Sequence, residues 1–469
     1  MRATDISEKR TTVEQGESGE RRERLRERER ESPAQVSSME ERDDSIEKGD
    51  STPLLRIEKK FAGVGCLESL GYFGISTNLV IFLGDVLHQS NPSIATSIMS
   101  WTGTSFLAPF LGALVADSYC GGYCMILASS IELIGMFLVT LSSILRSSAT
   151  PQRVIFFSGL YMVALGSGGV KSSLLPLGGR KKKSSFFNWF YFSLNLGALV
   201  SSTFVVWTEE NVGWAVGFGG AAVAMAAALG AFLSGTKIFR LRTTTKGQLG
   251  RSFRAAELKF LLRLLPFWLT GVVFSAAYAH IYTTFVEQGK AMDGKIASFC
   301  VPPASLFAFE VASVMAWLVV VPAAAPPLLQ RMGIGYSLMA AAVATAAAVE
   351  MKRVKSGGAA IAWQLPQYFL VGGAEAFACV GQLEFFYSEA PVGMRSMSTA
   401  ISLLGISLGS YLSSAAMATL AASWVPKDLS EGHLGYLFSA LTGLCVANLI
   451  AFSVFARRYT LKRAAAGRL

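Results

Sequence analysis

The chain has 469 residues, of which 52% are hydrophobic and only 16% charged, with a formal net charge of +10. The first sixty hold 14 Lys or Arg and 16 Asp or Glu, so the remainder is far more apolar than a soluble domain. Outside that tail no long basic surface exists to neutralise phosphates, which excludes nucleic acid as a partner and leaves membrane orientation as the meaning of the positive charge.

Residues 1–60 alternate Arg and Glu through Arg21–Glu31 and have almost no apolar residue until Leu54. That composition predicts a disordered cytosolic tail, with a short charged helix at Arg21–Glu31 as the alternative. The tail lacks the apolar core of a signal peptide, so the first span is expected to act as an uncleaved insertion signal. From Phe61 the chain is a succession of apolar runs, each near the roughly 20 residues a helix needs to cross about 30 Å of hydrocarbon. About twelve spans are predicted: Phe61–Leu87, Ile94–Ala116, Cys124–Leu145, Val154–Leu177, Phe186–Trp207, Trp214–Leu233, Leu258–Phe285, Leu306–Val321, Met332–Val349, Ala359–Phe386, Thr399–Ala422 and Leu434–Phe455. They are read as helices because nothing in them alternates as a membrane barrel does, which makes this an all-α membrane protein partnered by a lipid bilayer. Prolines at 302, 303, 322, 326 and 327 crowd the ends of the eighth.

Arg180–Lys183, Arg240–Arg254 and Arg457–Arg463 fall on one side of these spans, which places both termini in the cytosol. Glu209 and Glu210 then face outward, while Lys352, Arg353 and Lys355 after span nine break the pattern.

The six cysteines, 66, 120, 124, 300, 379 and 445, are scattered, and His88, His280 and His433 lie far apart, so no metal site is expected. No GxSxG elbow, phosphate loop or HExxH occurs, which argues against an enzyme.

What remains is charge inside the membrane. An ionisable residue there is costly unless paired or hydrated, so each is a functional hypothesis. Glu68 lies one helical turn before Tyr72 in span one, so carboxylate and phenol can share a face. Lys171 follows Gly166-Ser-Gly-Gly-Val in span four and needs a carboxylate; Glu375, in Val371-Gly-Gly-Ala-Glu-Ala-Phe of span ten, has the complementary charge. Glu287 closes span seven near its outer end, where a solvated interfacial carboxylate is an equal reading. Glu132 and Glu310, the latter near the mouth of span eight, read as local structure. Tyr278 and His280 lie in span seven, the histidine either binding an anion or titrating, or packed and hydrogen-bonded.

The runs Tyr72-Phe-Gly-Ile-Ser-Thr-Asn-Leu-Val80, Ser184-Ser-Phe-Phe-Asn-Trp-Phe-Tyr-Phe-Ser193, Phe285-Val-Glu-Gln-Gly289, Trp363-Gln-Leu-Pro-Gln-Tyr-Phe369 and Gly381-Gln-Leu-Glu-Phe-Phe-Tyr387 resemble the plant nitrate and peptide transporter family, proton-coupled oligopeptide transporters of the major facilitator superfamily. The resemblance implies a major facilitator fold: a six-helix bundle at 61–236, a cytosolic linker at 237–256, a second six-helix bundle at 257–456 and a cytosolic tail at 457–469. It implies a symporter driven by a proton gradient, with no cofactor. Tyr72, Lys171, Glu375, Tyr278 and His280 would line the substrate site, and Glu68, Glu287 and Glu375 would couple protons. A buried carboxylate suits that role because it takes up a proton unless a cation offsets it.

This chain departs from the family in two ways. Span one reads Gly65-Cys-Leu-Glu68-Ser69 where the family has Glu-x-x-Glu-Arg, so Glu68 has lost its adjacent cation; the turn at Asp117 and Gly121 has Gly122 in place of an arginine. Segments after spans four, six and eight are shortened, which folding tolerates. Di- or tripeptides are the expected substrate, with nitrate or a small organic anion of the hormone type as the alternative, at the plasma or vacuolar membrane. A non-transporting relative that senses solute stays open.

Overall fold

A helix in hydrocarbon has no water to satisfy its backbone, so each span must close its own hydrogen bonds or find partners in its neighbours. The computed structural model describes residues 52–115, 123–145, 149–178, 184–235, 255–296, 299–324, 326–356, 358–390, 395–421, 424 and 434–466. Side chains at several segment ends, including residues 171–191, lie outside the described set. So do the Arg-Glu tail to Ser51, the basic segments at 180–183 and 240–254, and the turn at Asp117–Gly122.

Among the described residues of Lys60–Leu469 and the helix leading into them, twelve helical segments follow one another. The first bundle holds α1 (Thr52–Ser76, continued by Leu79–Ile81 and a π turn Phe82–Val86), α2 (Asn91–Val115), α3 (Tyr123–Ile144) and α4 (Ala149–Gly178). It is completed by α5 (Ser184–Val200, a π turn Ser201–Val205, then Val206–Asn211) and α6 (Trp214–Gly235). The second holds α7 (Ala255–Tyr278, a 3-10 turn Ala279–Tyr282, then Thr284–Lys290), α8 (Leu306–Ala324) and α9 (Leu328–Ser356). Then come α10 (a 3-10 turn Ile361–Gln364, Leu365–Ala374, a π turn Glu375–Cys379, then Val380–Glu389), α11 (Arg395–Ala416 and a π turn Met417–Ala421) and α12 (Leu434–Ala466). Nine of these are long and apolar enough to cross a membrane. Their outer faces carry large apolar side chains such as Phe204, Val223 and Val319, as a lipid-facing surface requires. Between α7 and α8 sits a minimal antiparallel hairpin, Lys295–Ile296 against Phe299–Cys300.

Several boundaries move. Helix α1 begins at Thr52, inside the segment expected to be a disordered tail, and α12 runs to Ala466, through most of the expected C-terminal tail. Pro303 opens a 3-10 turn ahead of α8, where a missing amide costs nothing. Helix α9 extends past Val349 to Ser356, so Lys352, Arg353 and Lys355 belong to a helix rather than a loop. Arg353 is buried against Glu350, and Lys352 stands over the ring of Trp363 at 3.0 Å.

The two bundles meet where side chains are small or hydroxylic. On α2, Ser100 shares a 2.8 Å hydrogen bond with Ser414 of α11, and Thr104 another of 2.8 Å with Tyr411. The Tyr411 ring lies against the open face of Gly103. Within the first bundle α3 and α4 cross at Gly135 and Gly159, and a Cβ on either would stand 2.7 Å from the other's carbonyl oxygen. Gly159→Ala is therefore expected to cost about 1–3 kcal/mol. Gly220→Ala, on an open face of α6, should leave stability unchanged. Melting of the detergent-solubilised protein compares the two.

Candidate functional site

The helix interruptions place the site. Helix α7 tightens to 3-10 geometry after Tyr278, breaks at Thr283 (φ −130°, ψ −89°) and restarts at Thr284. Helix α10 widens into its π turn at Glu375, an irregularity common at functional positions. The pair Gly372-Gly373 lets α8 approach: a Cβ at Gly372 would meet the Ser313 hydroxyl at 2.7 Å and the Glu310 carbonyl at 2.9 Å. Two acidic side chains and two tyrosines are thereby gathered. The Tyr278 hydroxyl donates to Glu375 Oε2 at 2.7 Å. Glu310 is buried on α8 with its backbone carbonyl beside Gly372, and Tyr282 packs against Tyr278.

From this cluster a line of rings crosses into the first bundle. Tyr282 packs on Tyr278 (6.0 Å between centroids) and on Phe307 (5.2 Å), Phe307 stacks on Phe73 (5.6 Å), and Phe73 meets Tyr72 edge-on (5.4 Å). Tyr72 in turn stacks on Trp101 at 5.4 Å. The structure thus joins Tyr72, Tyr278 and Glu375 to one aromatic wall between the bundles. Glu68 is buried one turn before Tyr72. Lys171 lies on α4, and its side chain, with the expected bridge to Glu375, falls outside the described residues.

Glu287 stands apart, on the restarted end of α7. It is 2% exposed, and neither carboxylate oxygen has a hydrogen-bond partner among the described residues, so the solvated interfacial reading does not hold. Its neighbour Gln288 is the opposite case. Gln288 Nε2 donates to Glu350 Oε2 (3.0 Å) and to the Ala346 carbonyl (3.1 Å), while its Oε1 accepts from Gln364 (2.9 Å) and Gln367 (3.2 Å). Glu350 is held by two bonds from Arg353, at 2.6 and 3.0 Å. This network pins the end of α7 to α9 and α10, and Glu287 with it.

His280 is 3% exposed, with Nδ1 3.1 Å from the Thr284 hydroxyl and Nε2 2.9 Å from the Ser413 hydroxyl. Nε2 thus ties α7 to α11, while Nδ1 is bonded within α7 itself. Glu209, at the end of α5, is buried and accepts from Asn78 at 3.1 Å. Burial pushes its carboxyl well above the ordinary carboxylate range, against the smaller pull of Asn78. Two features escaped the sequence: Glu310 in the central cluster, and an ion pair between Asp85, at the end of α1, and Lys290, at the end of α7. A carboxylate two turns inside the Pro303 start was the available signal for the first; the second has none, since its partners are 205 residues apart.

Two six-helix bundles with a polar, aromatic-walled centre between them define a membrane transporter of the major facilitator fold, not an enzyme. The sequence profile of PTR2, the POT family, matches residues 123–256 and 251–429, and the chain belongs to this family. Protein NRT1/PTR FAMILY 8.3 of Arabidopsis thaliana is 35% identical over 86% of this chain and 91% of its own length. Protein NRT1/PTR FAMILY 8.5 of the same plant is 34% identical, over 86% and 89%. The first alignment runs over 531 positions, more than this chain's 469, so that relative carries segments absent here, in keeping with the shortened loops. Among solved structures, the POT family transporter PepTSo matches with a TM-score of 0.74 at 21% identity, covering 87% of this chain and 98% of that one. An auto-inhibited POT family peptide transporter gives 0.73 at 19%, covering 86% and 97%.

The buried Glu350–Arg353 pair makes a separate stability test. Arg353→Met strands Glu350 and is expected to cost about 3–5 kcal/mol. Adding Glu350→Gln, which keeps an acceptor for Gln288, should recover part of the loss, read as melting temperature in detergent.

Proposed function

We propose that this chain is a proton-coupled symporter that carries di- and tripeptides across the plasma or vacuolar membrane by alternating access, with both termini in the cytosol. The observation that carries this reading is the Tyr278–Glu375 hydrogen bond in the centre of the fold. It holds an acidic group where a substrate ammonium can reach it, while the phenol fixes its orientation. Lys171, on the opposite bundle, supplies the counterpart for a substrate carboxylate. Solved relatives support this choice of ends: one is described in complex with 5-aminolevulinic acid, which bears an amine and a carboxylate, and another with a thioalcohol conjugated peptide.

Glu287 is the proton-coupling residue of this reading. A buried carboxylate is stabilised by a proton or by a counter-charge brought to it, so its loading depends on how the bundles sit. Asp85 and Lys290 close one end of the passage between α1 and α7, one turn beyond Glu287. Both are half exposed, so the pair contributes only about 0–1 kcal/mol. That is still enough to shift a two-state equilibrium several-fold.

Uptake of labelled dipeptide into proteoliposomes under an inward proton gradient tests the function. Accumulation is expected, and Glu375→Gln and Lys171→Ala should each abolish it. Peptide binding without gradient-driven uptake would instead identify a solute sensor, and accumulation of nitrate but not peptide would move the substrate to the anion. The end closure is tested by reversal. Asp85→Lys or Lys290→Asp alone should favour the form open at that end, read by labelling of a cysteine introduced between them and the central cluster. The double exchange should restore the wild-type labelling rate.

A further inference from the structure

A hydrogen-bonded pair buried in the first bundle is left with two oxygens that lack donors. Helix α1 is interrupted at Asn78 (φ −108°, ψ 17°), whose side chain is fully buried and does not cap the turn that follows. Its Nδ2 donates to Glu209 Oε2 at 3.1 Å, and Glu209, 1% exposed, stands just beyond the π turn of α5. Gly217 of α6 makes the room, since a Cβ there would stand 2.2 Å from Glu209 Cγ. Asn78 Oδ1 and Glu209 Oε1 are both buried and have no hydrogen-bond partner among the described residues. An ionised carboxylate can only accept, so with Glu209 charged neither oxygen satisfies the other, and a buried charge rests on one neutral donor. A protonated Glu209 removes the deficit: Oε1–H donates toward Asn78 Oδ1 while Nδ2 donates back to Oε2. The charged groups around the pair are Glu210, next on α5, and beyond it Asp85 of α1 and Lys290 of α7; α6 contains no titratable residue.

We propose that Glu209 and Asn78 form a proton-binding site of the first bundle, filled while the end closed by Asp85 and Lys290 stays shut. The proton sits on Glu209 Oε1 and is shared with Asn78 Oδ1. It comes from water, and it returns to water when that end opens and hydrates the carboxylate; no other covalent bond is made or broken. Proton uptake thereby favours the closed form, and loss of the proton as pH rises favours the open one. The residues that build the site lie on α1, α5 and α6, all in the first bundle, whereas Glu287 and Glu375 belong to the second. The inference rests on the alternating access proposed above and not on the identity of the substrate.

Infrared difference spectra of the purified protein test occupancy. Wild type minus Glu209→Gln at neutral pH is expected to show the C=O stretch of a protonated carboxyl, and Glu210→Gln should leave that band in place. Glu209→Gln keeps the shape and neutrality of the loaded acid, so its melting temperature at neutral pH should match that of wild type. The link to opening is read by labelling the cysteine placed between the Asp85–Lys290 pair and the central cluster. At acid pH both proteins should label equally; at alkaline pH Glu209→Gln should label at least about fivefold more slowly than wild type. A carboxylate band in place of the carboxyl band overturns the proposal, and if that band moves with added sodium the pair binds a metal cation instead. Equal labelling of wild type and a folded Glu209→Gln protein at every pH overturns it as well and leaves Glu209 a structural acid. A wild type that never labels denies opening at this end and removes the reading beneath the proposal. Failure to accumulate peptide concerns the substrate alone, since neither readout uses one.

Discussion

Helix backbone in hydrocarbon cannot be left unsatisfied, and the arrangement of this transporter follows from that constraint. A span can break only where neighbouring protein receives the freed groups. Among the described residues the interruptions fall after Tyr278 in α7, at Glu375 in α10, at Ser201 in α5, at Phe82 in α1 and at Met417 in α11. In α7 the Thr283 and Thr284 hydroxyls turn back onto the carbonyls of Ala279 and His280, which lets the helix change pitch without exposing polar groups to lipid. Two of these interruptions carry the residues of the central cluster.

The buried polar groups then divide by how fully they are satisfied. Gln288, Glu350 and Arg353 are bonded into one set with Gln364 and Gln367, whose own Oε1 atoms lack partners among the described residues, and His280 is bonded at both nitrogens. Such groups specify how helices dock, and a proton or ligand would have to break existing bonds to use them. Glu287 is different, since both of its carboxylate oxygens are buried and lack hydrogen-bond partners among the described residues. Incomplete satisfaction at nearly full burial is a cost that a static scaffold gains nothing from, and it is what a group that gains and loses a proton must tolerate.

The contact between the bundles is built from other groups. The bundles touch through hydroxyls and glycine at α2 and α11, through the Phe73–Phe307 stack, and through the Asp85–Lys290 pair at one end. Small residues and single hydrogen bonds allow close approach without the interdigitation that would lock it. The Gln288 network lies inside the second bundle and joins three of its helices.

Hydrophobic run length alone determined the class and most of the span positions, because the thickness of the bilayer leaves a helix one workable length. The intramembrane residues Glu68, Tyr72, Glu287 and Glu375 were also legible, since a polar side chain in an apolar run stands out in one dimension. Their environments were not. Glu287 read equally as a solvated end and lies buried; Arg353 read as a loop charge and is paired inside α9. In each case the deciding partner lies on another helix, or on a continuation of the same helix that the hydropathy pattern had ended. Burial and pairing depend on which faces meet in three dimensions, and the order of residues along one span carries no record of that.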